Sequence, residues 1–299
     1  MKLLAHYLNT LQQTRPEIIN WRENDLNDSL FYSYRSTCYD RQTYPSSLHY
    51  HDYYELVVIV EGDIRYICES AACQPQPGDV VLIPPRRLHM SQINADATRY
   101  QRHVFYLYPD ALDALGCGVL TGFLARGEEA RLLAPSQRGR QELLSLLPRL
   151  DHALRQDALP EDRALALGLV IEIFYWLSEA RPREEAPTGA HLPENVLAIQ
   201  RYLDEHFADI ATVSEVAARF FYSREYVSRL FRRHFHTTVA DYIMQRRVAQ
   251  SQALIGQGEA LSDVCYQVGF GSMATFIRAF RALTNMTPSQ YRAMVREDA

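Results

Sequence analysis

Lysine is all but missing: Lys2 is the only one among 31 basic residues. Nearly every positive charge is therefore a guanidinium, suited to bidentate contacts with phosphate or guanine but equally the product of a general arginine bias. Cysteine is scarce too. Cys38, Cys68, Cys73, Cys117 and Cys265 are odd in number and without CxxC spacing, which argues against a disulfide framework or a cysteine zinc site and predicts reduced, buried thiols. No apolar run reaches the roughly 18 residues that cross a bilayer; the greasiest stretch, Leu165 to Leu177, is broken by Glu172. The first eleven residues include His6, Asn9 and Thr10 and lack the apolar centre of a secretory signal, so no membrane partner and a cytoplasmic location are expected. Net positive charge is also absent. At −5, the average speaks against a nucleic-acid partner, because neutralising phosphates takes Lys or Arg.

That average hides an asymmetry. From Ala190 onward there are 12 basic and 11 acidic residues, against 19 and 25 before it, so the acidity belongs to the first two-thirds. A chain of 299 residues, 47% hydrophobic and 22% charged, is a folded protein of about two domains.

From Leu30 to about Tyr108, short β-branched and aromatic runs alternate with turn signals. Glu55 to Val60, Asp63 to Cys68, Val80 to Ile83 and Tyr100 to Tyr108 read as strands, and Glu61-Gly62-Asp63, Pro77-Gly78-Asp79 and Pro84-Pro85 as turns. The pattern predicts an antiparallel barrel or sandwich. From Leu112 it turns helical, with an apolar stripe at Leu143, Leu144, Leu146, Leu147 and Leu150 and a second over Ala164 to Leu177. Arg181 to Pro193 has the prolines and charges of a linker, and the remainder reads as helix. The expected fold class is α+β in two domains: 1–127 a sensing barrel, 128–180 a helical dimerisation segment, 181–193 the linker, and 194–299 an all-α domain.

The last domain contains a repeat. Val213-Ser214-Glu215-Val216-Ala217 matches Leu261-Ser262-Asp263-Val264-Cys265 at an offset of 48 residues, and Ser223, Arg229, Phe231 and Arg232 match Ser272, Arg278, Phe280 and Arg281 at 49. Each copy reads as a short helix, a tight break and a longer helix. Thr212 and Glu215 form a capping box, and Ser223 and Ser272 stand where an N-cap is needed. Val227, Leu230, Phe231 and Phe235, then Phe276 and Phe280, face inward at helical spacing. Left outside are Arg224, Glu225, Ser228, Arg229 and Arg232 in one copy and Met273, Ala274, Thr275 and Arg278 in the other. That is the layout of a helix-turn-helix, whose second helix reads the major groove. Arg229 is placed for a guanine; a solvated arginine face paired with Glu225 at i,i+4 is the plainer reading of one copy alone. Duplication favours double-stranded DNA.

These segments carry a resemblance. Ser223 through Phe231, Tyr242 through Arg247-Val248, Val268-Gly269-Phe270-Gly271-Ser272 and Thr287-Pro288-Ser289-Gln290-Tyr291-Arg292 resemble the DNA-binding domain of the AraC/XylS family of transcription regulators. His236 and Asn285 stand where that family often has glycine after a recognition helix, and Ala260 replaces the usual capping hydroxyl of the second unit. Met273 and Ala274 suit thymine methyls or phosphate positioning more than polar base reading.

In the amino-terminal region, His49-Tyr50-His51, Glu55 and Gly62 reproduce the HxHxxxE…G spacing of the first cupin motif. Pro84 to His89 fits the second, with Arg86 where glycine is typical. Three imidazoles and a carboxylate at His49, His51, Glu55 and His89 are a donor set for zinc, iron, manganese or nickel. The resemblance implies instead a metal-free histidine pair lining an effector pocket, so the expectation is no cofactor, with a divalent metal as the alternative. Tyr32, Tyr34, Tyr54 and Tyr66 would add stacking and hydroxyl contacts inside the barrel for a sugar or another polar effector. The function expected is a DNA-binding regulator, not an enzyme, controlled by a small molecule. It would act as a homodimer and engage RNA polymerase if it activates. The rival is a metal-dependent cupin enzyme, which rests on those four residues alone.

Overall fold

The computed structural model describes residues 21–27, 30–38, 48–69, 71–93, 99–127, 130–155, 159–183 and 192–297. Its strands are β1 (Trp21–Asn27), β2 (Leu30–Cys38), β3 (Tyr54–Glu61), β4 (Ile64–Cys68), β5 (Ala71–Cys73), β6 (Val80–Ile83), β7 (His89–Ile93), β8 (Arg99–Leu107), β9 (Arg131–Ala134) and β10 (Arg181–Pro182). They form two antiparallel sheets, one ordered β1-β2-β8-β3-β6-β9-β10 and one ordered β5-β4-β7. Alternation along β3 decides which residues meet. Leu56 and Val58 join the core beneath the helices, while Val57 and Ile59 point between the sheets, and period-2 geometry puts Glu55 on that inner side.

Two helices, α1 (Gln137–Ala153) and α2 (Pro160–Glu179), cover the outer face of the large sheet. Leu143, Leu146, Leu147 and Leu150 of α1 and Ile173, Phe174 and Leu177 of α2 are buried in one core with Phe105 and Leu107. The leucine stripe is thus spent on the chain's own sheet, at roughly 1.5–3 kcal/mol per buried side chain. Asp79, fully buried, binds Arg140 of α1 at 2.7 Å and Arg183 beyond β10 at 3.1 Å, fastening these elements to the turn before β6. β9 and β10 extend the large sheet beyond β6, so the segment 128–180, expected to be helical, includes a strand ahead of its two helices. The two linker residues Arg181 and Pro182 form β10; 184–191 lie outside the described residues.

The carboxy-terminal domain consists of α3 (Glu194–His206), α4 (Val213–Arg219), α5 (Arg224–Phe235), α6 (Val239–Gly256), α7 (Leu261–Gln267), α8 (Met273–Thr284) and α9 (Pro288–Glu297). Its two halves have separate cores, Val216, Val227, Phe231 and Phe235 in one and Val264, Phe270, Phe276 and Phe280 in the other, with α6 contributing to both. The first core also takes in Leu48, Ile67, Leu88 and Met90 of the sensor, so the domains are docked through apolar contact. A polar chain runs beside it. Arg246 of α6 reaches Glu69 at 2.5 Å and Asp204 at 3.2 Å, Arg87 holds Glu69 at 3.0 Å, and Gln92 donates to the His234 carbonyl at 2.6 Å. No helix among the described residues is long and apolar enough to cross a membrane.

Candidate DNA interface and sensor site

Each reader is built by local chemistry. The Thr212 hydroxyl accepts from the Glu215 amide at 3.3 Å while the Glu215 carboxylate accepts from the Ala211 amide at 3.1 Å, closing the start of α4. The chain breaks at Phe221, which takes φ +58°. Ser223 then caps α5 through the Tyr226 amide at 3.1 Å, and His236 ends it in the left-handed conformation at φ +50°. The second unit repeats the plan with Ser272 on the Thr275 amide at 3.3 Å and Asn285 at φ +57°. Ala260 makes no side-chain cap, as its chemistry requires. At the second break Gly269 has φ +89°, and a Cβ there would lie 2.0 Å from the Ala208 carbonyl oxygen, so only glycine fits.

On α5, Val227, Phe231 and Phe235 are buried, while Arg224, Glu225, Arg229 and Arg232 are exposed and Ser228 is half-buried. The Arg229 guanidinium lies 5.8 Å from the Tyr226 ring centroid, and that tyrosine's hydroxyl accepts from Asn195 at 3.0 Å. On α8, Ala274 and Arg278 are exposed and Met273 and Thr275 half-buried. All nine residues named from the sequence thus sit on the outward side of a capped second helix.

In the sensor the four metal-type residues converge. His49 forms a β-bridge with His89, and their rings lie 4.2 Å apart. His51 Nε2 is 2.9 Å and His89 Nε2 3.1 Å from the same Glu55 oxygen, Oε2. Ligand atoms of His49, Glu55 and His89 all fall within 4.8 Å of one another, the one such group among the described residues. Burial holds the His51 imidazole below its ordinary range. Burial also pushes Glu55 upward, but the neighbouring imidazoles win and hold it well below the usual carboxylate range.

The effector tyrosines do not join this group. Tyr32 is buried under the helices, where its hydroxyl pairs with His103 Nδ1 at 2.6 Å and its ring packs on Phe105. Its place on β2 puts it on the opposite face of the sheet. Tyr54 packs on that same core, and the Tyr66 hydroxyl meets that of Tyr100 at 2.5 Å. The Tyr34 side chain lies outside the described residues. The space between the sheets, expected to be the ligand site, is filled by Tyr53, Val57, Ile59, Tyr66, Tyr100 and Tyr106.

The larger cavity lies elsewhere. About 180 Å³ opens at the domain junction, between His49 to Tyr53 on the sensor and Gln245, Gln252, Leu283 to Met286 and Tyr291 on the second reader. Asp52 spans its wall, accepting from the Tyr291 hydroxyl at 2.6 Å and Gln252 Nε2 at 2.9 Å. Burial raises the Asp52 carboxyl above its ordinary value.

Residues 33–173 match the family of AraC-like ligand binding domains, and residues 216–294 match a helix-turn-helix domain family. The chain belongs to the AraC family. Its relatives include the uncharacterized HTH-type transcriptional regulator YdeC of Bacillus subtilis, 22% identical over 250 residues, 83% of this chain and 86% of that protein. Regulatory protein SoxS of Escherichia coli K12 is 36% identical over 92 residues, 30% of this chain and 86% of that one. Among solved structures, ToxT from Vibrio cholerae O395 matches over 90% of this chain and 99% of its own, at 12% identity and TM-score 0.35. This AraC-family chain is a DNA-binding transcription regulator with a ligand-binding domain.

Sequence reasoning missed three features of this regulator. Ile277, 38% exposed, belongs to the outward face of α8 and was signalled by its i+4 spacing from Met273. Phe221 is 95% exposed at the first break, a position no apolar periodicity marks. The Asp52–Tyr291–Gln252 cluster joins residues some 200 positions apart, and no short-range pattern announces such a meeting.

Proposed function

We propose that this regulator is controlled by a small molecule seated in the junction cavity, and that occupancy changes how the second reader is presented to DNA. The supporting observation is the shared wall: Leu48 to Tyr53 and Leu283 to Met286 enclose one space, and Asn285 in that wall is the C-cap of α8. A molecule that binds only when both walls are in place shifts the docked population by its differential affinity. Asp52 and the amide oxygens of Gln245 and Gln252 are acceptors, and Leu48, Leu283 and Met286 are apolar. That lining suits a compact neutral or cationic molecule with hydrogen-bond donors better than an anion. About six waters would fill the space at liquid density, which sets the effector's scale.

Two copies would act together. The outer side of α2 leaves Leu165 and Tyr175 about half exposed at 49% and 47%, so dimerisation belongs to this face and not to the buried leucine stripe of α1. A dimer would engage paired sites, with each chain's readers entering successive major grooves about 10 bp apart. The test is a mobility shift on the gene's own upstream DNA combined with a thermal-shift screen. Arg229→Ala should weaken specific binding by about 5- to 150-fold, the equivalent of losing one bidentate base contact. Leu283→Trp should abolish the response to any ligand found. Unchanged specific affinity in the first, or an unaltered ligand response in the second, overturns the corresponding assignment.

A further inference from the structure

We propose that His49, Glu55 and His89, with His51 on the same carboxylate, bind a divalent first-row transition ion, and that the regulator senses this ion. Nδ1 of His51 lies 2.8 Å from the Tyr53 carbonyl oxygen, and Nδ1 of His89 lies 2.8 Å from that of Arg87. A carbonyl oxygen can only accept, so both Nδ1 atoms carry protons. Both Nε2 atoms are aimed at the same oxygen, Glu55 Oε2. His89 is 2% exposed, and its Nε2 has no hydrogen-bond partner. A metal ion set among them takes one donor atom from each ring and one from the carboxylate.

The spacing agrees. Four-coordinate bonds of about 2.0–2.1 Å put neighbouring donor atoms about 3.3 Å apart, and the nitrogen–oxygen separations here are 2.9 and 3.1 Å. His49, with its ligand atom inside the 4.8 Å group, closes by side-chain rotation. Imidazoles with one carboxylate select zinc, iron, manganese or nickel over calcium or magnesium. The carbonyls behind both rings supply the orientation that metal-bound histidines ordinarily receive from their second nitrogen.

Coupling follows from the chain itself and rests on the regulator reading above. Asp52 is next to His51 and bridges to Tyr291 of α9 and Gln252 of α6. A segment drawn onto an ion carries Asp52 with it, and with Asp52 the second reader. His49 and His51 also line the junction cavity, so the ion and an effector would act on one wall.

The experiment uses the full chain, loaded separately with zinc and cobalt chloride and buffer-exchanged. Metal analysis, the visible absorption of the cobalt form and mobility shifts on upstream DNA with and without chelator are then recorded. Wild type should hold close to one ion per chain and show cobalt bands of nitrogen–oxygen ligation. His89→Ala, Glu55→Gln and the less buried His49→Ala should each lose at least about tenfold in metal affinity while keeping the wild-type circular dichroism. DNA affinity should change at least about threefold between loaded and chelated protein. The site is overturned if wild type retains less than about a tenth of an ion, or if folded His49→Ala binds like wild type. The sensing step is overturned if loaded and chelated protein bind DNA equally. Absence of DNA binding in both states would instead overturn the regulator reading, with metal content still deciding the site.

Discussion

Docking between sensor and reader is the structural premise of regulation here, and Arg246 is where it is most open to attack. Its guanidinium lies between Glu69 of the sensor and Asp204 of α3, with all three side chains only 13–15% exposed. Two unit charges about 4 Å apart attract by about 4 kcal/mol at an effective dielectric near 20, and desolvation offsets part of this. Glu69 also keeps Arg87 when Arg246 is lost. Burial already raises Asp204 to about 6 despite Arg246, so it can take up a proton instead of remaining an unpaired charge. These reliefs bring the expected Arg246–Glu69 coupling down to about 2 kcal/mol, below the 3–5 kcal/mol of a fully buried pair.

The measurement is a double-mutant cycle with Arg246→Met, Glu69→Gln and the double variant. Hydrogen exchange at β7 and α3 would be read at fixed pH above 7, where Asp204 is ionised in the wild type. A coupling of about 2 kcal/mol appears as roughly 30-fold faster exchange through undocking in either single variant, with no further loss in the double. Coupling below about 0.5 kcal/mol, the range of exposed pairs, would refute the reasoning. Docking would then rest on the apolar contacts of Leu48, Ile67, Leu88 and Met90 and on the hydrogen bonds of Gln92 and Asp52.

Other consequences are simpler to read. Gly269→Ala should cost on the order of 3 kcal/mol in urea unfolding, because its φ and the Ala208 carbonyl both oppose a Cβ, whereas Gly271→Ala, with open space around it, should stay within about 0.5 kcal/mol. Burial lowers His103 to about 3. The unfolded chain, near 6.5, therefore binds more protons between these values, and stability falls as pH drops below 6.5, by about 2 kcal/mol at pH 5. His103→Gln should flatten that part of the urea-midpoint profile, and an unchanged slope would count against the burial account. Leu165→Arg should turn a dimer into a monomer in size-exclusion chromatography with light scattering; a wild-type monomer at micromolar concentration removes the α2 face from consideration.

The readers were legible in the sequence because every determinant is local. A capping hydroxyl, an amide three residues on, a left-handed terminator and an i,i+4 apolar stripe all lie within about fifteen residues. Even the departures were legible: His236 and Asn285 adopt the left-handed conformation that their side chains tolerate. Arg86 does the same at φ +62°, at the place where the cupin pattern has glycine. The histidine cluster was legible by spacing, since period 2 fixes the side of β3 on which Glu55 stands. Tyr32 shows the limit of that logic. Its face depends on the register of β2 against β8, where it pairs with Phe105, and one residue of register separates the inside of the barrel from the helix-covered face.

The junction was illegible for a different reason. Asp52, Glu69 and Arg246 are ordinary polar residues in their local windows, and they gain meaning only when two folded units meet. The same holds for charge. The net −5 speaks against DNA, yet part of the sensor's acidity, Glu69 and Asp52, is turned toward the reader, where Arg246 pairs with Glu69 and Tyr291 and Gln252 donate to Asp52. Arg224, Arg229 and Arg232 remain outward. Docking thus uses an arginine outside the two recognition helices, and undocking would bare Arg246 together with its neighbour Asp204 of the same domain. Release of the reader would therefore change its net field little, and regulation through this junction must act by the geometry of the two helices and not by switching their charge.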